Sequence, residues 1–325
     1  MLKTGVCSLD AMKRHKTWFG ASRAIAYSVL QDARAEGESS GVFGHVTSTI
    51  RLASGVHRTT RSNRFGELDS LLEGVLENCF MLDDRLRIED WATSDALAAS
   101  ECAVWVLRKY RRAELIASDY VLFLVRASRA AHELLILDPD GRPLQYVRPP
   151  FVVSLCTDER WVYPINRMYR WIGQKYFSDF AQSVGPSELD RLMLVDEVDC
   201  PPWVMRKIQL IHPDAERLSQ KDSRFRIELH DAFSARCDKC HVLRVMNLYN
   251  PHVIGDSAVA AGARAVFDSL AEGGIAVIGR NDEAEGGVCH ATVFKRRDRE
   301  LVPLVRMGRG SEVEGVFTSD FPPVR

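Results

Sequence analysis

Residues 86–96 read Leu86-Arg87-Ile88-Glu89-Asp90-Trp91-Ala92-Thr93-Ser94-Asp95-Ala96, and this stretch sets the fold class. Leu86 to Trp91 reads as a strand that ends on an acid and an aromatic. Ala92 to Ala96 is a loop of small residues, and Ser100 to Tyr110 continues as a helix. A second short apolar strand, Ala113 to Asp119, follows and also ends on an acid. Strand, tight turn, helix and strand in this order make a βαβ unit, whose two strands lie parallel.

Outward from this unit the same alternation returns. Phe65, Leu68, Leu71, Leu72 and Val75 recur at helical spacing and predict a helix over 65–76. Glu133 to Leu137 and Leu144 to Val147 flank Asp138-Pro139-Asp140-Gly141 and predict a hairpin. Further strands are predicted at Leu192 to Val195, Phe225 to Leu229, Val242 to Met246 and Ile275 to Ile278. Helices are predicted over most of Pro201 to Leu218 and over Asp256 to Leu270, the latter closed by Gly273-Gly274. Ala291 to Lys295 and Leu301 to Met307 form a closing antiparallel pair around the charged turn Arg296 to Glu300. The fold class is therefore α/β: a Rossmann-like, mostly parallel sheet with a C-terminal antiparallel hairpin. Residues 1–65 read as a helical and irregular region, with a helix over Ala21 to Ala35 and loop over Ser39 to Thr60. Residues 66–325 read as the α/β domain. It is interrupted at about 148–188 by an insertion dense in Phe151, Trp161, Tyr163, Tyr169, Trp171, Tyr176, Phe177 and Phe180.

Composition narrows the class. At 46% hydrophobic and 27% charged, the chain has the make-up of a soluble globular protein. A net charge of −1 exerts no global pull on nucleic acid or anionic membrane, and neither is expected as a partner. No apolar run suits a membrane span, and the first residues lack a secretory pattern, so a cytoplasmic location is expected. The eight cysteines are scattered and read as reduced thiols. Cys237-Asp238-Lys239-Cys240-His241 invites a zinc reading, but structural zinc needs a second ligand pair, and no metal is expected.

In an open α/β sheet ligands bind beyond the carboxyl ends of the strands, where strand order reverses. Four such positions stand out. Ala92, Ser94 and Ala96 occupy alternate loop positions where close approach of the backbone to a ligand favours glycine. Asp119 ends the second strand, where an acid can accept two ribose hydroxyls or cap the next helix. His230-Asp231-Ala232 ends another strand, where a polar side chain and a backbone N–H can meet an adenine ring. Met246-Asn247-Leu248-Tyr249 ends a fourth.

Taken in order, these motifs, with Leu270-Ala271-Glu272-Gly273-Gly274-Ile275 after them, resemble the class I S-adenosylmethionine-dependent methyltransferases. Within that class they are most similar to the chemotaxis-receptor glutamate methyltransferases, which also carry a Tyr-Phe pair such as Tyr176-Phe177. The resemblance covers roughly residues 66–310. It implies S-adenosylmethionine as the cofactor, with Asp90, Ala92, Ser94 and Ala96 around its methionyl part. Asp119 would hold the ribose, Asp231 and Ala232 the adenine, and Asn247 would line the methyl site. Ala96 departs from the family's last loop glycine and would be strained at positive φ. Met246 stands where the family has arginine. The acceptor is a small molecule or a protein. If it needs a base, His230, Asp231, Tyr249 and His252 are the candidates, and Asn247, His230 and Tyr249 form the expected catalytic set. The aromatic insertion reads as a lid over the methyl donor, with Arg148, Arg167 and Arg170 suited to an anionic acceptor, or as a satellite core. The rival reading is a catalytically degenerate methyltransferase-fold binding protein, favoured by the absence of glycine from Asp90 to Ala96.

Overall fold

The computed structural model describes residues 5–14, 24–37, 40–52, 58, 61–130, 132–156 and 164–321. Trp161, Tyr163 and the start of the helix expected at Ala21 lie outside them. The chain begins with helices α1 (Leu9–Arg14), α2 (Val29–Ala35) and α3 (Ser40–Thr47), the last in a stretch expected to be loop. It continues through α4 (Gly66–Cys79), β1 (Arg87–Trp91), α5 (Leu97–Lys109) and β2 (Glu114–Asp119). A long excursion follows: β3 (Phe123–Ala130), β4 (Glu133–Leu137), β5 (Pro143–Arg148), β6 (Phe151–Ser154), α6 (Pro164–Ser183), α7 (Pro186–Leu194), β7 (Glu197–Cys200) and β8 (Trp203–Gln209). The chain returns in α8 (Pro213–Lys221), β9 (Phe225–Leu229), β10 (Cys240–Met246), α9 (Pro251–Ile254) and α10 (Asp256–Ser269). It closes with β11 (Leu270–Asp282), β12 (Val288–Arg297), β13 (Glu300–Met307) and α11 (Glu314–Phe317).

Two compact units result, residues 1–60 with 121–211, and residues 61–120 with 212–325. This division differs from the one expected. The N-terminal helices belong with the excursion, which is far larger than 148–188, because they share one apolar core. Leu9, Val29, Leu30, Phe43 and Val46 cluster with Leu124, Ile136, Leu144 and Ile208. That unit holds a six-stranded antiparallel sheet, β6-β5-β4-β3-β8-β7. Tyr176 and Phe180 pack edge-on or tilted against Trp203 in a second cluster, which is the satellite-core reading of the aromatic segment. Two elements are corrections. Trp203–Gln209 is a strand, paired antiparallel with β3 and β7, and Trp203 and Met205, two residues apart, are buried. Leu192–Val195 is the end of a helix opened by Pro186 at its first turn, and only Leu192 of that apolar run is buried.

The other unit is the α/β sheet. Its order is β13-β12-β11-β10-β1-β2-β9. The strands from β9 to β11 are parallel neighbours, and β12 and β13 are the antiparallel hairpin. Numbered along the chain within this unit, the parallel part is 3-2-1-4-5, the doubly wound arrangement. Gly273 and Gly274 lie inside β11 rather than at a helix end, which is capped at Leu270. The α/β fold with its closing hairpin is as expected.

Candidate active site

β1 passes through α5 to β2 on one side, while β10 lies on its other side. The strand order therefore reverses at β1, and the carboxyl ends of β1, β2, β9 and β10 surround that point. The loop after β1 has an unusual backbone. Ala92, Ser94 and Ala96 have φ of 56°, 60° and 63°, in the left-handed region that glycine favours. The N–H of Ser94 donates to Oδ2 of Asp119 at 2.7 Å, which fixes the carboxylate at the mouth of the loop. The N–H of Thr93 donates to the Ser118 carbonyl at 3.1 Å. Asp95 takes no part in this surface: it is 1% exposed and its Oδ1 caps the N–H of Leu97.

β9 brings His230 to the same place. Its N–H donates to the Asp119 carbonyl at 3.1 Å, and its ring lies 4.5 Å from the Trp91 ring. Burial, then the nearby Arg236, pull the imidazole below its usual range, so His230 is neutral at physiological pH. Its Nε2 is buried with no partner among the described residues. Asp231 is exposed, with Oδ1 accepting the N–H of Phe233, and Ala232 is buried behind it.

Asn247, at the end of β10, is exposed with φ 62°. Its Oδ1 accepts the N–H of Asn281 from β11 at 2.8 Å, which orients the side chain. Tyr249 is placed elsewhere than expected. It is 6% exposed, packed among Phe233 and Phe317, with its hydroxyl donating to the Ala232 carbonyl at 3.0 Å. Burial pushes the phenol well above its ordinary value, so Tyr249 is a core residue and not a base. His252 is exposed on α9.

Asp90 is likewise committed to the protein. Arg244, its register neighbour on β10, donates to Asp90 Oδ2 from Nε at 3.0 Å and also from Nη2. The same guanidinium donates to Asp69 Oδ1 at 2.6 Å and to the Ala98 carbonyl. Burial outweighs the pull of Arg244 on Asp69 and raises that carboxyl to about 6. This buried triad was missed: Asp90 stands beside Arg87 and Glu89 in β1, and no local signal pairs it with Arg244.

Cys237 is exposed, and the Sγ of Cys240 is buried against the Ser269 carbonyl. Among the described residues the group spaced to hold a metal is Asp282, Glu285 and His290 instead. There the Arg309 N–H donates to Nδ1 of His290, and Nε2 lies 3.1 Å from both a Glu285 carboxylate oxygen and an Arg309 guanidinium nitrogen. The Arg309 guanidinium spans Glu285 and Asp282. A cation of the protein's own thus already neutralises these carboxylates.

No family profile and no curated protein matches the chain. Among solved structures it is similar to a putative sarcosine dimethylglycine methyltransferase from Galdieria sulphuraria, at 9% identity and TM-score 0.30 over 67% of this chain and 51% of that one. A methyltransferase from Thiobacillus denitrificans with S-adenosyl-L-homocysteine gives 12% identity and 0.29, over 70% and 52%. A putative protein-L-isoaspartate O-methyltransferase from Plasmodium falciparum, also with S-adenosyl-L-homocysteine, gives 10% and 0.29, over 88% and 96%. The chain spans about half the length of the first two. None of the three is of the chemotaxis-receptor type, and at such TM-scores they add nothing to what the strand order shows.

Proposed function

We propose that the chain is an S-adenosylmethionine-dependent methyltransferase acting on a small-molecule or protein acceptor. The observation that supports this most is the loop from Ala92 to Ala96. It holds three left-handed non-glycine residues in a row of alternate positions, beside the Asp119 carboxylate, at the point where strand order reverses. Such strain persists where a backbone must approach a ligand. In this reading the loop lies along the methionyl part of the cofactor, and Asp119, oriented by Ser94, accepts the ribose hydroxyls. The Asp231-Ala232 turn meets the adenine, and Asn247 lines the methyl site. The cofactor supplies a methyl group on a sulfonium, so the protein contributes alignment and exclusion of water more than acid–base chemistry. His230, neutral and beside Asp119, is the residue placed to take a proton where the acceptor carries one.

Calorimetric titration with S-adenosylhomocysteine tests this. Wild type binds, and Asp119→Ala loses about thirty- to a hundredfold in affinity, the worth of charge-assisted bonds to two hydroxyls. Asp119→Asn keeps an acceptor for Ser94 and separates loss of charge from loss of loop order. No binding by wild type at millimolar ligand refutes the function. Equal binding by Asp119→Ala refutes the ribose placement alone.

A further inference from the structure

Helix α6 carries a surface that the site above does not use. Its inner stripe, Asn166, Gly173, Tyr176 and Phe180, is buried. Gly173 is needed there, since a Cβ would stand 2.7 Å from the Tyr146 side chain. The outer stripe is Arg167, Met168, Trp171, Gln174, Lys175 and Ser178, all exposed. At 3.6 residues per turn these six fall within about 120° of arc and along about 16 Å of axis. Trp171 is 66% and Met168 46% exposed, side by side on one ridge.

The charge on this face has one sign. No Asp or Glu occurs from residue 164 to 178. Among the described residues Asp179 is paired with Arg129 at 3.1 Å and Glu133 with Arg148 at 3.4 Å. Among the described residues neither Arg167 nor Lys175 has an ion-pair partner. A net charge of −1 over the whole chain concealed this local excess. Long cationic side chains flanking an indole suit the plane of an anionic bilayer, where Trp rests at headgroup level and Arg and Lys reach the phosphates. A nucleic-acid strand would call for a groove with successive stacking rings, whereas this face is a convex ridge with Trp171 its single aromatic. We propose that the outer face of α6 docks on an anionic phospholipid surface. No described helix is long and apolar enough to cross a membrane, so the contact is peripheral. The proposal is independent of the methyltransferase reading.

Co-sedimentation with phosphatidylcholine vesicles, with and without phosphatidylserine, tests it on the full chain. Binding to the phosphatidylserine vesicles alone, weakened by high salt, is expected. Arg167→Gln with Lys175→Gln should lower it about twenty-fivefold, at roughly fivefold per cation. Trp171→Ala should lower it further at unchanged circular dichroism, and brominated lipid should quench tryptophan emission in wild type but much less in Trp171→Phe. Absence of binding to the anionic vesicles, or binding that these variants leave unchanged, overturns the proposal. So does retention on single-stranded polyuridylate through the same residues without vesicle binding.

Discussion

Replacing Arg244 with Met removes the only cation from a buried triad while keeping most of the side chain's volume. Arg244 is 2% exposed and Asp90 5%, so the variant leaves Asp90 buried without its partner and Asp69, mostly buried, without its strongest one. Removing one member of a buried ion cluster costs about 3–5 kcal/mol. For a unit of this size that is roughly 10 °C in melting temperature. The loss must depend on pH. Asp69 already sits at about 6 in the wild type, above the unfolded value of 3.8. A carboxyl raised on folding is harmless below its unfolded pKa and destabilises increasingly as pH rises through the folded one. Without Arg244 the Asp69 carboxyl rises further, so protonation relieves the variant in acid. The deficit should be full at pH 8 and smaller by about 1–2 kcal/mol at pH 5. Urea unfolding of wild type and Arg244→Met at both pH values measures this, and Asp90→Asn added to Arg244→Met should restore part of the loss at pH 8. A deficit under about 1 kcal/mol, or one equal at both pH values, would falsify the buried-triad account.

Ala96→Gly should be neutral or stabilise by up to about 1 kcal/mol, as relief of left-handed strain is set against glycine's greater unfolded freedom. Ala96→Val, β-branched at the same φ and fully buried, should cost more than about 2 kcal/mol; both are read by urea unfolding. Gly279→Ala should destabilise by about 2–3 kcal/mol, because a Cβ would stand 2.3 Å from the His290 carbonyl oxygen and 2.5 Å from the Ala291 Cβ. With a thiol reagent, exposed Cys237 should react in the native protein. Cys240, whose thiol burial pushes well up, should react only after unfolding, and elemental analysis should find no zinc.

The parallel sheet was readable because each of its strands ends in a local signal, such as Asp119 or Asp231, and because α5 and α10 have clean helical periods. Of the left-handed loop, only Ala96 was readable as a positive-φ position; small residues at Ala92 and Ser94 fit a plain strand-to-helix turn equally well. What escaped was set by long-range packing. Nothing local tells that Tyr249 turns into the core to meet the Ala232 carbonyl, or that Arg244 faces Asp90 across two strands. Leu192 to Val195 illustrates the limit of apolar runs: four apolar residues suggest a strand, yet Leu194 is 87% exposed at a helix end. Trp203 to Gln209 illustrates the opposite, a strand whose buried residues Trp203, Met205 and Ile208 are unevenly spaced and give no local strand signal.

The shared core of the first unit also has a consequence for the growing chain. Tyr27 takes its backbone acceptor from Gln145, and Gln31 reaches the Lys207 carbonyl, a separation of 176 residues. During synthesis α2 and α3 therefore emerge long before the strands that cover their apolar faces. At ribosomal speeds the wait is on the order of ten seconds or more. Throughout it Leu30, Phe43 and Val46 lack their partners while the first strands of the α/β sheet are being made. Contacts this distant in sequence form slowly, so aggregation and chaperone dependence should concentrate at the N-terminal helices rather than in the parallel sheet.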